Sequence, residues 1–241
     1  MKSPSLAENL ISIQSLSKTF NGLKVLDGIN FEVKKNEIIS ILGPSGCGKT
    51  TLLKIIGGLI SGASKSIQAD SIGFVFQKPS LLPWKSVHEH LILPLQIKKI
   101  ADKSNIQNII KFVGLKSFEK FYPNQLSGGM QQRLAMGMAL AYNPEILLMD
   151  EPFSALDEIT RNKLQEELLR IFDQSDTVKS IVYVTHSIEE AVFLSDKVII
   201  LSEKPSTIKK IVKINLEKPR NANIRNSNEF FSYIKTIRSL L

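Results

Sequence analysis

Five short, densely apolar runs punctuate the chain, Ile38 to Leu42, Ile72 to Phe76, Ile146 to Met149, Ile181 to Val184 and Val198 to Leu201, and helical segments separate them. A strand with one wet face alternates apolar and polar residues, whereas runs apolar at nearly every position suit strands covered on both faces of a largely parallel sheet. The pattern therefore specifies an α/β fold. Two earlier stretches, Ile11 to Leu16 and Ile29 to Val33, do alternate, and Asn21-Gly22 lies between them. They read as half-buried antiparallel strands joined by a turn.

Between Gln77 and Gln125 the strand-like runs cease. Pro79, Pro83 and Pro94 punctuate the first part, and Asn105 to Val113 and Lys116 to Phe121 look helical, so this is read as a helical insertion. The last stretch, Ser206 to Leu241, offers one alternating strand (Ile208 to Leu216), a polar segment and an amphipathic helix. A length of 241 residues fits one domain with an inserted piece.

Composition excludes several classes. A net charge of +8 rests on Lys far more than on Arg, which favours diffuse attraction to anions over sequence-specific reading of nucleic acid. One cysteine, Cys47, rules out a disulfide scaffold and a multi-cysteine zinc site. The segment from Met1 to Leu16 is interrupted by Glu8 and Asn9 and lacks the apolar core of a secretory signal, so the protein is expected to stay inside the cell. The longest apolar run, Leu134 to Tyr142, has nine residues, well short of the roughly 20 that span a bilayer. Any membrane role needs a partner chain.

The first apolar run leads into Gly43-Pro44-Ser45-Gly46-Cys47-Gly48-Lys49-Thr50, and a helical Thr51 to Ile56 follows. Glycines let backbone N–H groups converge on a polyphosphate, the helix N-terminus adds its dipole, Lys49 supplies a compact positive charge, and the Thr50 hydroxyl can ligate Mg²⁺. Cys47 has no base beside it and reads as a small residue in a tight turn.

Two further strand ends carry chemistry. Ile146 to Met149 ends in Asp150-Glu151, and Ile181 to Val184 ends in Thr185-His186. Ligands of an open parallel sheet bind beyond the carboxyl ends of its strands. Asp150 is thus placed to hold Mg²⁺, Glu151 to polarise an attacking water, and His186 to contact a γ-phosphate. Leu126-Ser127-Gly128-Gly129-Met130-Gln131-Gln132-Arg133 precedes another helix, a second N-terminus suited to an anion or a simple N-cap by Ser127. Whether the two phosphate-binding ends meet on one nucleotide is open at this level.

The set GPSGCGKT, LSGGMQQR, ILLMDEP, SALD and VTH, in this order, resembles the nucleotide-binding subunit of an ATP-binding-cassette (ABC) transporter over roughly residues 11–205. The resemblance implies a P-loop NTPase core with a mostly parallel sheet, an N-terminal antiparallel β subdomain and an inserted helical subdomain. Residues 1–77 and 143–205 would form the ATPase core, 78–142 the helical subdomain, and 206–241 a C-terminal strand and helix. It implies a head-to-tail dimer in which Ser127, Gly128 and Gly129 of one copy close over MgATP held by Gly43 to Thr51 of the other. Gln77 matches the glutamine that senses Mg²⁺ and water, Asp157 the aspartate of the loop crossing the dimer interface, and Phe20 the aromatic residue that stacks on adenine. A Phe beside a strand is otherwise a core residue.

More narrowly, Val75 to Trp84 and Thr185 to Ala191 resemble ATPases of nitrate, sulfonate and taurine importers, which are of similar length and lack the C-terminal regulatory domain of sugar-importer ATPases. This implies a transmembrane permease partner at Trp84, an indirect solute-binding protein, and a cytoplasmic place on the inner face of the cell membrane. Two departures stand out: the short connection Gly57 to Ile72, with Ser61-Gly62-Ala63-Ser64 where relatives have a longer hairpin, and Met138 where they have Arg. The first suggests a trimmed outer β-hairpin and the second a missing polar contact. The alternatives are the ABC subunit of an importer for a different cargo and a soluble cassette ATPase acting on nucleic acid or ribosomes. Such soluble ATPases generally carry paired cassettes, a long coiled-coil insertion or zinc modules, and none is present here. A metabolic kinase would leave the LSGG turn and His186 unexplained.

Overall fold

The computed structural model describes residues 9–62 and 65–241. Strands β1 (Asn9–Phe20) and β2 (Leu23–Lys34) pair antiparallel around Asn21-Gly22. Both turn residues have positive φ, 46° and 82°, the geometry for which Asn-Gly is the favoured pair. After β3 (Glu37–Leu42) and helix α1 (Lys49–Ile56), the three-residue β4 (Lys65–Ile67) adds to the other edge of β1. The shortened connection thus still supplies a strand to this sheet. Ala63 and Ser64 lie outside the described residues, as does the segment from Met1 to Glu8.

The remaining strands are β5 (Ile72–Val75), β6 (Ile146–Asp150), β7 (Ser180–Val184), β8 (Lys197–Leu201) and β9 (Ile208–Lys213). With β3 they form one sheet of order β5-β6-β7-β3-β8-β9, parallel throughout except for β9. Every residue of β3, β6 and β7 is buried, the physical meaning of their unbroken apolar runs. Alternate side chains enter two cores. Ile39, Ile41, Leu148, Val182 and Ile199 face the antiparallel sheet and α1. Ile38, Leu42, Leu147, Met149, Tyr183 and Val198 face the helices on the other side. Each such side chain contributes about 1.5–3 kcal/mol on leaving water. Edge strand β9 carries Lys209, Lys210 and Lys213, charges that discourage pairing with another chain.

The helices of that second layer are α2 (Val87–Ile97), α3 (Ile106–Phe112), α4 (Gly128–Leu140), α5 (Glu158–Gln174), α6 (Ile188–Leu194) and α7 (Asn228–Arg238). Two local expectations need correction. Pro94 does not punctuate a loop but sits inside α2, which Ser86 and Glu89 start with a reciprocal capping box. Proline removes the donor to the carbonyl four residues back, yet the helix continues, with Lys98 N–H donating to the Pro94 carbonyl at 3.0 Å. The helix expected over Lys116 to Phe121 shrinks to one 3₁₀ turn, Lys116–Phe118, because the chain must turn again before Pro123. Met138 lines an apolar groove of about 210 Å³ with Phe74, Phe76, Leu81, Pro94 and Tyr142, so a hydrophobic wall stands where the resemblance implies Arg. Among the described residues no helix is long and apolar enough to cross a membrane.

Candidate active site

Strand β3 delivers the chain into the loop Gly43 to Gly48. Gly48 has φ 114°, and a Cβ there would stand 2.8 Å from Val25 Cγ1. Only glycine passes this point, and β2 thereby forms the floor beneath the loop. Cys47 is buried, and its carbonyl accepts from the hydroxyl of Ser206, which is 159 residues away in sequence. No side chain caps α1, so the N–H groups of its first turn stay available to an anion. Lys49 curls over the loop and donates to the carbonyls of Gly43 at 2.8 Å and Pro44 at 2.9 Å. Thr50 and Thr51 follow, half-buried, in that first turn.

Thr50 Oγ1 donates to Asp150 Oδ1 at 3.1 Å. Burial pushes the Asp150 carboxyl above the usual carboxylate range, and the Thr50 hydrogen bond opposes that shift. A hydroxyl and a carboxylate are hard oxygen donors of the kind that bind Mg²⁺ together with substrate phosphates, so these residues fit the ion. One residue on, Glu151 has φ 46° although Pro152 disfavours any but extended backbone before it. Strain of about 1–3 kcal/mol at such a residue persists only where its surroundings enforce it. Here Glu151 N–H donates to the Val184 carbonyl at 3.0 Å, and Ser154 Oγ donates to the Glu151 carbonyl at 3.0 Å. The carboxylate receives Gln77 Nε2 at 3.0 Å, and His186 Nδ1 stands 3.5 Å from the same oxygen. Gln77, Glu151 and His186 follow β5, β6 and β7, which are neighbours in the sheet. Adjacent strand ends thus bring together three residues far apart in sequence.

The second glycine turn is built differently. Ser127 caps α4, accepting from Met130 N–H at 3.2 Å. Gly129 lies against the Ala155 carbonyl, 3.1 Å from where a Cβ would be, so this turn packs on the loop that follows Glu151. Gly128 has open space before it. The hydrogen bonds of Ser127 stay within its own turn, whereas those of the phosphate loop run to Asp150 and Ser206. Asp157 caps α5 through Thr160 N–H at 3.0 Å, which holds its carboxyl below the usual range. Phe20 is 40% exposed at the end of β1, so it is not a core residue, and the Lys18 ammonium lies 5.1 Å from its ring centroid. Trp84 is 69% exposed.

Sequence reading missed His90. It is fully buried, accepts from Leu82 N–H through Nε2 at 2.9 Å and donates from Nδ1 to the Ser86 carbonyl at 2.8 Å. Burial lowers its pKa, and the neutral ring closes the loop that displays Trp84. Its only signal was a histidine four residues after a helix-capping serine. Ser206 carried none, since its partner lies across the whole fold.

A model of the ABC transporter family matches residues 26–154, a span that includes the phosphate loop, Gln77, the LSGG turn and Glu151. The chain belongs to the ABC transporter family. This cassette is 47% identical to an uncharacterized ABC transporter ATP-binding protein of Methanocaldococcus jannaschii, over 96% of this chain and 91% of the relative. It is 42% identical to an aliphatic sulfonates import ATP-binding protein of Bacillus subtilis, over 88% of this chain and 86% of that one. Among solved structures, a dimeric ATP-binding cassette bound to ADP and Pi in a post-hydrolysis state superposes with a TM-score of 0.75 at 32% identity, covering 86% of this chain and 100% of that one. The α/β P-loop fold and the ABC transporter ATPase function are thereby established.

Proposed function

We propose that this cassette energises import of a small solute of the nitrate, sulfonate or taurine kind. Two copies would close head to tail over two ATP molecules, beneath a transmembrane permease on the cytoplasmic face of the cell membrane. A solute-binding protein would feed the permease without touching the cassette, and nucleic acid has no part. The observation that carries this reading is the meeting of Gln77, Glu151 and His186 beside the Thr50–Asp150 pair. The sulfonate-importer relatives support the import direction, and the solved dimer supports assembly in pairs.

In this reading Phe20 stacks on the adenine. The amides from Gly43 to Thr51, with Pro44, Ser45, Gly46, Cys47 and Gly48 shaping the loop, cradle the phosphates. Lys49 exchanges its two loop carbonyls for phosphate oxygens. Ser127, Gly128 and Gly129 of the second copy close the far side, an arrangement that gives the unhindered Gly128 a purpose. Thr50 and Asp150, with Gln77, hold Mg²⁺, which when bound neutralises charge on the β- and γ-phosphates. Glu151 takes a proton from water as its oxygen attacks the γ-phosphorus. The bond to the bridging oxygen breaks, ADP leaves with that electron pair, and His186 hydrogen-bonds the phosphoryl group being transferred.

The test is co-expression with a candidate transmembrane permease of the same source. Co-purification from membranes and ATPase activity stimulated by an aliphatic sulfonate, nitrate or taurine are expected. Co-purification with nucleic acid at moderate salt, and none with membranes, would overturn the reading.

A further inference from the structure

Glu190 lies on α6, four residues past His186, and is buried. Its Oε2 accepts from Thr185 Oγ1 at 2.6 Å, and Thr185 Oγ1 in turn accepts from Ser187 N–H at 3.0 Å. The carboxylate therefore holds Thr185 directly and Ser187, on the other side of His186, through the Thr185 hydroxyl. Its other oxygen, Oε1, faces Arg161 Nε at 3.8 Å, and Arg161 Nη2 donates to the Leu156 carbonyl at 2.7 Å. Arg161 Nε is buried and makes no hydrogen bond, so the Glu190 carboxylate is the charge opposite it. The same helix is anchored by Tyr183, whose hydroxyl donates to the Glu190 carbonyl at 2.9 Å. Arg225, stacked 3.6 Å over Phe193 and bonded to Gln165 Oε1 at 2.6 Å, closes the far side. A continuous path runs from the base of the histidine loop to the residue before Asp157.

Burying a carboxylate is costly unless it is hydrogen-bonded and faces an opposite charge, and Glu190 has both, from Thr185 and from the half-buried Arg161. The hydrogen bond from Thr185 supplies direction and the charge of Arg161 supplies attraction across 3.8 Å. We propose that Glu190 is a positioning residue, whose links to Thr185 and Arg161 set His186 at the γ-phosphate and tie it to the Leu156–Asp157 loop. The inference rests on the reading of His186 as a γ-phosphate contact and goes beyond it by naming what aims the histidine.

Glu190→Gln keeps the size of the side chain and an acceptor for Thr185 but loses the charge facing Arg161; Arg161→Met keeps the stem and loses the partner. Displacing a reacting group by an ångström can cost about 100-fold, so kcat should fall by about 10- to 100-fold in each, with KM for ATP nearly unchanged. The double variant should be no slower than the worse single variant, because both break one link. A kcat within about twofold of wild type, equal changes in kcat and KM, or multiplied effects in the double variant would overturn the proposal. Should either variant be unstable, Thr185→Val, which replaces the hydroxyl with a methyl group, must show the same kcat loss at unchanged KM. Glu151→Gln run alongside separates the two failures. If it turns over normally, the site assignment falls and takes this proposal with it; if it is slow while Glu190→Gln is normal, only the role of Glu190 falls.

Discussion

Lys49→Ala removes an ammonium whose present partners are two loop carbonyls, at 2.8 and 2.9 Å. An ammonium has three donors, so one is free and the other two must be released before they can serve a phosphate. Gly43 and Pro44 are half-buried residues, so water can replace the ammonium at their carbonyls and the exchange costs little. What the ammonium then makes with a phosphate oxygen is a charge-assisted hydrogen bond, about 1.5–3 kcal/mol. Its loss should weaken ATP binding by about 10- to 150-fold. Stability of the nucleotide-free protein should change by no more than about 1 kcal/mol, the value of a solvent-replaceable hydrogen bond. Titration calorimetry with MgATP on wild type and variant measures the first quantity, and urea unfolding the second. ATP affinity within about threefold of wild type would refute the assignment of Lys49 to the phosphates, since that corresponds to under 1 kcal/mol.

Glu151→Gln should retain ATP affinity and lose turnover by about 10²–10⁴-fold, the range for a missing general base, as read by phosphate release; normal hydrolysis would shift the task to His186. Phe20→Ala should weaken binding of ATP by about 5- to 150-fold, the equivalent of one stacked base at about 1–3 kcal/mol, and equally weaken ADP, both measurable by fluorescence titration. Asp150 is held above its unfolded pKa by burial, so the folded state binds that proton more tightly and its contribution to stability is lost as pH rises from the ordinary carboxylate range through the raised value. Asp150→Asn should therefore flatten the decline in urea-unfolding stability over that window and be at least as stable at neutral pH, while losing Mg²⁺-dependent hydrolysis.

How far the sequence leads depends on how local each cause is. The apolar runs foretold strands covered on both faces because burial is written into every residue of Ile146 to Met149 and Ile181 to Val184. Asn21-Gly22 gave its hairpin for the same local reason. The phosphate loop and the two strand-end acids were legible because their chemistry is contiguous. Strand order was not, and the convergence of Gln77, Glu151 and His186 depends on β5, β6 and β7 being neighbours. The path through Glu190, Arg161 and Leu156 escaped notice because each residue taken alone is an ordinary helix or loop residue. Pro94 misled for an instructive reason: proline weakens a helix by one hydrogen bond, and a strong capping box with buried Val87, His90, Leu91 and Leu95 outweighs that loss.

In the proposed mechanism each working site takes its phosphate loop from one copy and its LSGG turn from another, so hydrolysis requires two chains. ATPase rate per subunit, followed against protein concentration, reads that requirement, with light scattering of Glu151→Gln in MgATP as its companion. Specific activity should rise steeply with concentration, and the variant should form a dimer holding two nucleotides. A rate per subunit independent of concentration, from material that stays monomeric, would contradict the shared site.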